Sequence, residues 1–308
     1  MAEKSFRPLS SPQKVPAYSQ NASATNANGI YAAIRDNFTI STWLLIGGLF
    51  HGVAISLLGY ITLLPAAAII IYRASDNLLM VWGWKKNRYL SGVFLNRFSA
   101  QVPNSDGSFG STPAASSVVV FIIGSKSSHP LGSFDLVFRK IGNYFTAMVG
   151  ELQENPEVSG LLGATPFIGS SEATSNEVMT VMYFRDFESL HKYAHGPFHM
   201  KVVKYWSKIV KDTPHVSIYH ETYIVPKGQW ENIYGNSKPT GLSASAFPVR
   251  SAQGNGEMEW LSPMVDVRHS NLRSVAGRIR SDYLQDYEEK HSEFWDQTYE
   301  VDYGNVVP

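Results

Sequence analysis

In a chain with no cysteine, chemistry falls to nine histidines and to the carboxylates and phenols. Three histidines, His191, His195 and His199, stand four residues apart in HKYAHGPFH. On a continuous helix that spacing lines one side, and a pair four apart binds metal when a third ligand converges. Gly196-Pro197 interrupts the series. Proline removes a backbone donor and crowds the preceding turn, so the helix is expected to kink or break there. No acidic HExxH pattern accompanies the histidines, and no metal site is predicted. His191 and His195 remain catalytic candidates. For His191, close to the stripe Phe187, Ala194, Phe198, Val202 and Tyr205, a hydrogen-bonded place at the core edge is the competing reading. His129 precedes Pro130 in a loop where function and plain turn chemistry are both open.

The segment VSIYHETYIV (216–225) is more informative. Tyr219, Glu221 and Tyr223 alternate with Ile218, His220, Thr222 and Ile224, so one strand face is polar and aromatic. Lining a cavity, that face supplies an acid–base group and two phenol donors to an enol or phenol substrate. A half-exposed strand would show the same alternation. Met182, Phe198, Trp206 and Trp230 are the candidate apolar lining of such a cavity. No GxGxxG opens a helix after a strand and no GxxxxGK loop is present, so dinucleotide and nucleotide phosphate sites are unsupported.

The elements that must position these residues follow from pattern. SVVVFIIG (117–124) reads as a buried strand. Phe134, Phe138, Ile141, Phe145, Met148 and Leu152 share one helix face, with Ser133 as the expected cap. Strands are expected over 158–168, 178–184 and 216–225, and a second helix after Asp186. The order βαββαβ is the ferredoxin-like split unit of an α+β domain. One helical layer hides one sheet face only. Residues 178–184 are apolar on both sides, so a second copy is expected to cover the other face, as a homodimer with a cavity between sheets.

Composition sets the outer limits. Lysine plus arginine equals aspartate plus glutamate, 26 against 26, which argues against a nucleic-acid partner. The absence of cysteine excludes disulfides, thiolate catalysis and iron–sulfur clusters. From Asn37 to Tyr72 no charge occurs, a run long enough to cross a bilayer core of ~30 Å. A helix over 42–64 is expected to span. Pro65 is the expected breaking point before a second helix over 66–84; it carries Arg73, which favours a place at the interface, and a second span is the open alternative. Arg73, Lys85, Lys86 and Arg88 follow the run, so the larger part of the chain is expected in the cytosol, on an endoplasmic-reticulum-type membrane. Domain limits follow: a disordered polar tail over 1–36, the membrane segment over 37–84, a turn-rich linker over 101–116, the catalytic domain over 117–242, and an extension over 243–308 with a helix near 281–297.

The stretches SSHPLG (127–132), ELQENPEVSGLLG (151–163), YFRDFESLHKYAHGP (183–197), HETYIVPKGQWENIY (220–234) and PTGL (239–242) resemble a family of monooxygenase-like proteins related to the antibiotic-biosynthesis monooxygenases. These are dimeric α+β barrels found in fungi and some bacteria. The resemblance implies oxidative tailoring of a lipophilic secondary metabolite, a terpenoid or polyketide, often without metal or flavin. Haem is the alternative cofactor, as in the aldoxime dehydratases of the wider superfamily, with His199 or His220 as ligand. A non-catalytic protein that carries a hydrophobic intermediate within a biosynthetic pathway is the third reading.

Overall fold

The computed structural model describes residues 5–16, 29, 31–170, 174, 177–251, 257–268 and 270–279; the helix expected near 281–297 lies outside them. The charge-free run and the residues just after it form two helices, α1 (Ile40–Leu58) and α2 (Leu63–Val81), the second carrying Arg73 and Asp76. Thr39 caps α1, its hydroxyl accepting from the Thr42 amide. The break falls at Gly59, not at Pro65. Gly59 sits at φ +76°, ψ −177°, a region essentially closed to other residues. Pro65 instead lies in the first turn of α2, where its missing amide hydrogen leaves no helix bond unmade. No residue of α1 is buried, and Leu49 and Phe50 are 73% and 74% exposed. An apolar helix exposed all round is no core helix of this chain. Each helix has 19 residues, a length of about 28 Å. Near the end of α2, Asp76 is buried against Lys85 and Arg88 from the segment that follows.

Strand β1 (Phe98–Ala100) precedes the βαββαβ unit, which comprises β2 (Val118–Ser127), α3 (Leu136–Glu154), β3 (Leu161–Ile168), β4 (Glu177–Phe184), α4 (Phe187–Ala194), α5 (Pro197–Ile209) and β5 (Val216–Val225). Its antiparallel sheet has the order β3-β4-β2-β5. Asp135 caps α3 in place of Ser133: its carboxylate accepts from the Phe138 amide at 2.8 Å. The second helix breaks at His195-Gly196, and Pro197 opens α5. Val119 of β2 and Met182 and Phe184 of β4 turn to the helices, packing with Leu152, Leu161 and Leu190. Met182, 2% exposed, is thus part of this core and not the wall of a cavity.

The remaining strands, β6 (Phe247–Arg250), β7 (Met258–Leu261) and β8 (Met264–Asp266), build a second unit in which β1 pairs with β8 and β6 with β7. Its core joins Phe6, Phe109, Val249, Leu261, Val265, Val267 and Leu272. Pro8 and Gln13 add bridges to Val265 and Trp260. The first residues of the expected tail and the expected linker are therefore structural. Each carries a single large apolar anchor, Phe6 or Phe109, whose partners lie far along the chain, so local composition reads as loop. Residues 5–16 precede the two apolar helices and the C-terminal strands follow them, yet both share one hydrophobic interior.

A third cluster, with Ala114, Val118, Leu162, Trp230, Leu242 and Phe247, fastens the second unit to one end of the sheet face that the helices leave open. Trp230, expected at a cavity mouth, is buried here, its indole donating to the Ser116 carbonyl at 2.7 Å.

Candidate active site on the uncovered half of the sheet

The register decides which side chains share the open face. Tyr219 of β5 pairs with Gly124 of β2, Glu221 with Ile122, and Tyr223 with Val120; on β4, Val181 pairs with Ile122. Paired residues point to the same side of a sheet. The polar face of 216–225 is therefore the face turned away from the helices.

Gly124 organises this face. A Cβ there would stand 2.2 Å from the Tyr219 ring, so only glycine lets that ring lie across β2. The Tyr219 hydroxyl then donates to Glu177 Oε1 on β4 at 2.9 Å, spanning three strands. Two residues along β5, the Tyr223 hydroxyl donates to Glu221 Oε2 at 2.5 Å. Partial burial, and after it the bond to Glu177, push the Tyr219 phenol above the usual tyrosine range. The bond to Glu221 does the same for Tyr223. Both phenols stay protonated at neutral pH and remain donors, while each carboxylate keeps an oxygen for a substrate proton.

The other end of the face is covered by the second unit. Thr165 of β3 accepts from the Gly241 amide at 3.1 Å. Burial raises Tyr183 and Tyr234 there. A cavity of about 310 Å³ remains between Val118, Leu162, Tyr183, Leu242 and Phe247, at the lower end of ligand-pocket sizes.

The expected site residues divide across the sheet. Tyr219, Glu221 and Tyr223 stand together on the open face. His191, His195 and His199 lie on the helical layer, as do Phe198 and Trp206 on α5. His195 and His199 sit with Nδ1 2.9 Å and 2.7 Å from the carbonyls of His191 and Ala194. They pin the helix break, and the sheet separates them from the phenols. His220 falls on the helix-side face of β5, its ring centroid 5.7 Å from that of Phe121. His129 lies near the start of α1, against the His215 ring. Among the described residues no three His, Asp or Glu side chains gather as metal ligands. Sequence reasoning missed Glu177, which opens its strand beside a loop; the usable signal was the glycine that ends the apolar run VVVFIIG inside a ten-residue strand.

An antiparallel βαββαβ sheet with helices on one face defines a ferredoxin-like α+β domain. Residues 118–242 match the family described as Monooxygenase af470-like. Monooxygenase af470 of Aspergillus fumigatus is 30% identical over 281 residues, 91% of this chain and 99% of that protein. The chain belongs to this monooxygenase-like family. Among solved structures, an aldoxime dehydratase overlaps 40% of this chain and 36% of its own at 11% identity and TM-score 0.34. SnoaB, a cofactor-independent oxygenase from Streptomyces nogalater, overlaps 34% of this chain and 90% of its own at 10% identity and TM-score 0.24. Overlaps this small say nothing about chemistry.

Proposed function

We propose that the chain is a membrane-anchored monooxygenase that oxidises a lipophilic carbon acid, of terpenoid or polyketide type, on the uncovered half of its sheet. The observation that carries this reading is the pair of phenol–carboxylate couples, Tyr219–Glu177 and Tyr223–Glu221, on one open face. A carboxylate takes a proton from an activated CH2 while a phenol donates to the enolate oxygen that forms. The carbanion then delivers electrons to O2. Conversion of CH2 to C=O releases four electrons, one oxygen atom enters the product and the other leaves as water, so no external reductant is needed. Haem fits poorly here: among the described residues the uncovered half presents no histidine, and His199 and His220 both lie on the helix side. The chemistry is therefore assigned to the carboxylates, the phenols and the substrate itself.

The hairpin of α1 and α2 is the anchor in this proposal, crossing twice with Gly59–Thr62 on the far side. Phe6 before it and Leu272 after it share one core, which a lone crossing would divide. Arg73 and Asp76 fall in the half of α2 nearest the head, where Asp76 meets Lys85 and Arg88. The positive-inside rule then favours a cytosolic head. Arg35, Lys85, Lys86 and Arg88 flank the hairpin on the head side, and the far turn carries no charge. A second copy covers what the second unit leaves open, enclosing a chamber between two sheets. A monomer mass in light scattering of the solubilised protein would count against that copy.

The test uses full-length protein in lipid nanodiscs with lipophilic carbon acids, anthrone first. Oxygen uptake should exceed the spontaneous rate, and label from ¹⁸O2 should enter the product. Glu221→Gln should lose about 10²-fold or more, the scale of general base catalysis. Equal rates for wild type, Glu221→Gln and Glu177→Gln would remove the face as the site.

A further inference from the structure

The connection from β2 to α3, residues 128–135, meets the start of the hairpin. Asn37 accepts from the Ser133 amide at 2.7 Å. Phe38 stands between Trp43 and Phe134, with ring centroids 5.3 Å and 5.9 Å away. Thr39, Thr42 and His129 line a polar cleft of about 440 Å³ with Thr174, from the connection between β3 and β4. The same end of the head exposes large apolar side chains beside this joint. Leu131 is 57% exposed, Phe134 41% and Leu136 75%. Among the described residues no core cluster includes them, although α1 begins within hydrogen-bond reach. Arg139 and Lys140, both exposed, follow in the first turns of α3, the charge that anionic headgroups attract.

We propose that this connection, with the first residue of α3, is a second, peripheral membrane contact: Leu131, Phe134 and Leu136 enter the boundary between headgroups and acyl chains, a depth of about 5–10 Å. The proposal rests on the hairpin being the anchor. Its partner is a lipid surface, because the bilayer that receives α1 already adjoins the connection. The consequence concerns the site. Lys126 pairs with Glu177 at this end of the sheet, and Gly124, Glu177 and Tyr219 are the uncovered half. Two contacts, the hairpin and the connection, hold this end of the sheet against the bilayer, so a membrane-dissolved substrate enters the chamber at that end without crossing water.

The absence of cysteine makes the experiment clean. Single variants Leu131→Cys, Leu136→Cys, Leu49→Cys and Lys192→Cys carry an NBD fluorophore in the full-length protein. They are reconstituted in phosphatidylcholine–phosphatidylglycerol vesicles holding lipids with doxyl groups high or deep on the acyl chain. Leu131 and Leu136 are exposed, so the labels displace no core contact. Expected is strong quenching of the labels at 131 and 136 by the shallow doxyl lipid, of the label at 49 by the deep one, and of the label at 192 by aqueous iodide alone. If 131 and 136 follow 192 while 49 is quenched by lipid, the peripheral contact is overturned and the anchor stands. If 49 also answers only to iodide, the anchor reading itself fails.

Discussion

The arrangement at Gly124 turns on one missing carbon atom. The Tyr219 ring occupies the space a side chain would fill, and that placement alone brings its hydroxyl to Glu177. Tyr219→Phe should cost about 0.5–1.5 kcal/mol of stability, the net worth of one hydrogen bond, and lower turnover. Gly124→Ala should push the ring aside and break the same bond. Because both act on one contact, the double variant should lose less activity than the sum of the singles, a coupling read from oxygen uptake in a double-mutant cycle. The sign with pH follows from the raised phenol. Its folded value lies above the ordinary tyrosine range, so the stabilisation is present below the unfolded value and is lost as pH rises through the folded one.

Among the elements, α3 depends on Asp135. Burial opposes its charge, but the amides of Phe138 and Val137 and the nearby His215 and His129 outweigh burial and hold the carboxyl below the usual range. A depressed folded value means the contribution is present above the unfolded value, near 3.8, and disappears as pH falls through the folded one. Asp135→Ala should cost about 1 kcal/mol near neutral pH. The gap between variant and wild type in thermal denaturation should close as the pH falls below that range. A gap that persisted in acid would show a role for Asp135 other than charged cap.

At the scale of the whole molecule, the segment before the hairpin and the strands after it close one core. Phe6, 4% exposed, sits among Val249, Leu261, Val265 and Leu272. Phe6→Ala should destabilise the head by about 3–5 kcal/mol, as for other large-to-small changes in a core. Urea or thermal unfolding of the nanodisc-held protein measures it. A loss below 0.5 kcal/mol, on the order of a surface substitution, would return residues 5–16 to the status of a tail and reopen the single crossing.

Local pattern alone determined the apolar run, the βαββαβ order, the break at Gly196-Pro197 and the alternation that sets Tyr219, Glu221 and Tyr223 on one face. Each is a period of two or of 3.6 residues, or the steric rule of a proline, and needs no knowledge of distant residues. Only the tertiary structure decided which face the helices cover, and so which candidates can meet. It set the phenols on the open side and the 191–199 histidines on the other, because strand pairing fixes the side of every residue at once. It also recruited Glu177, Phe6, Phe109 and Trp230. Their contacts join strands and segments separated by tens to hundreds of residues, and hydrophobic burial is blind to sequence distance. Composition therefore read turns and tails where the chain had placed the walls of a second core.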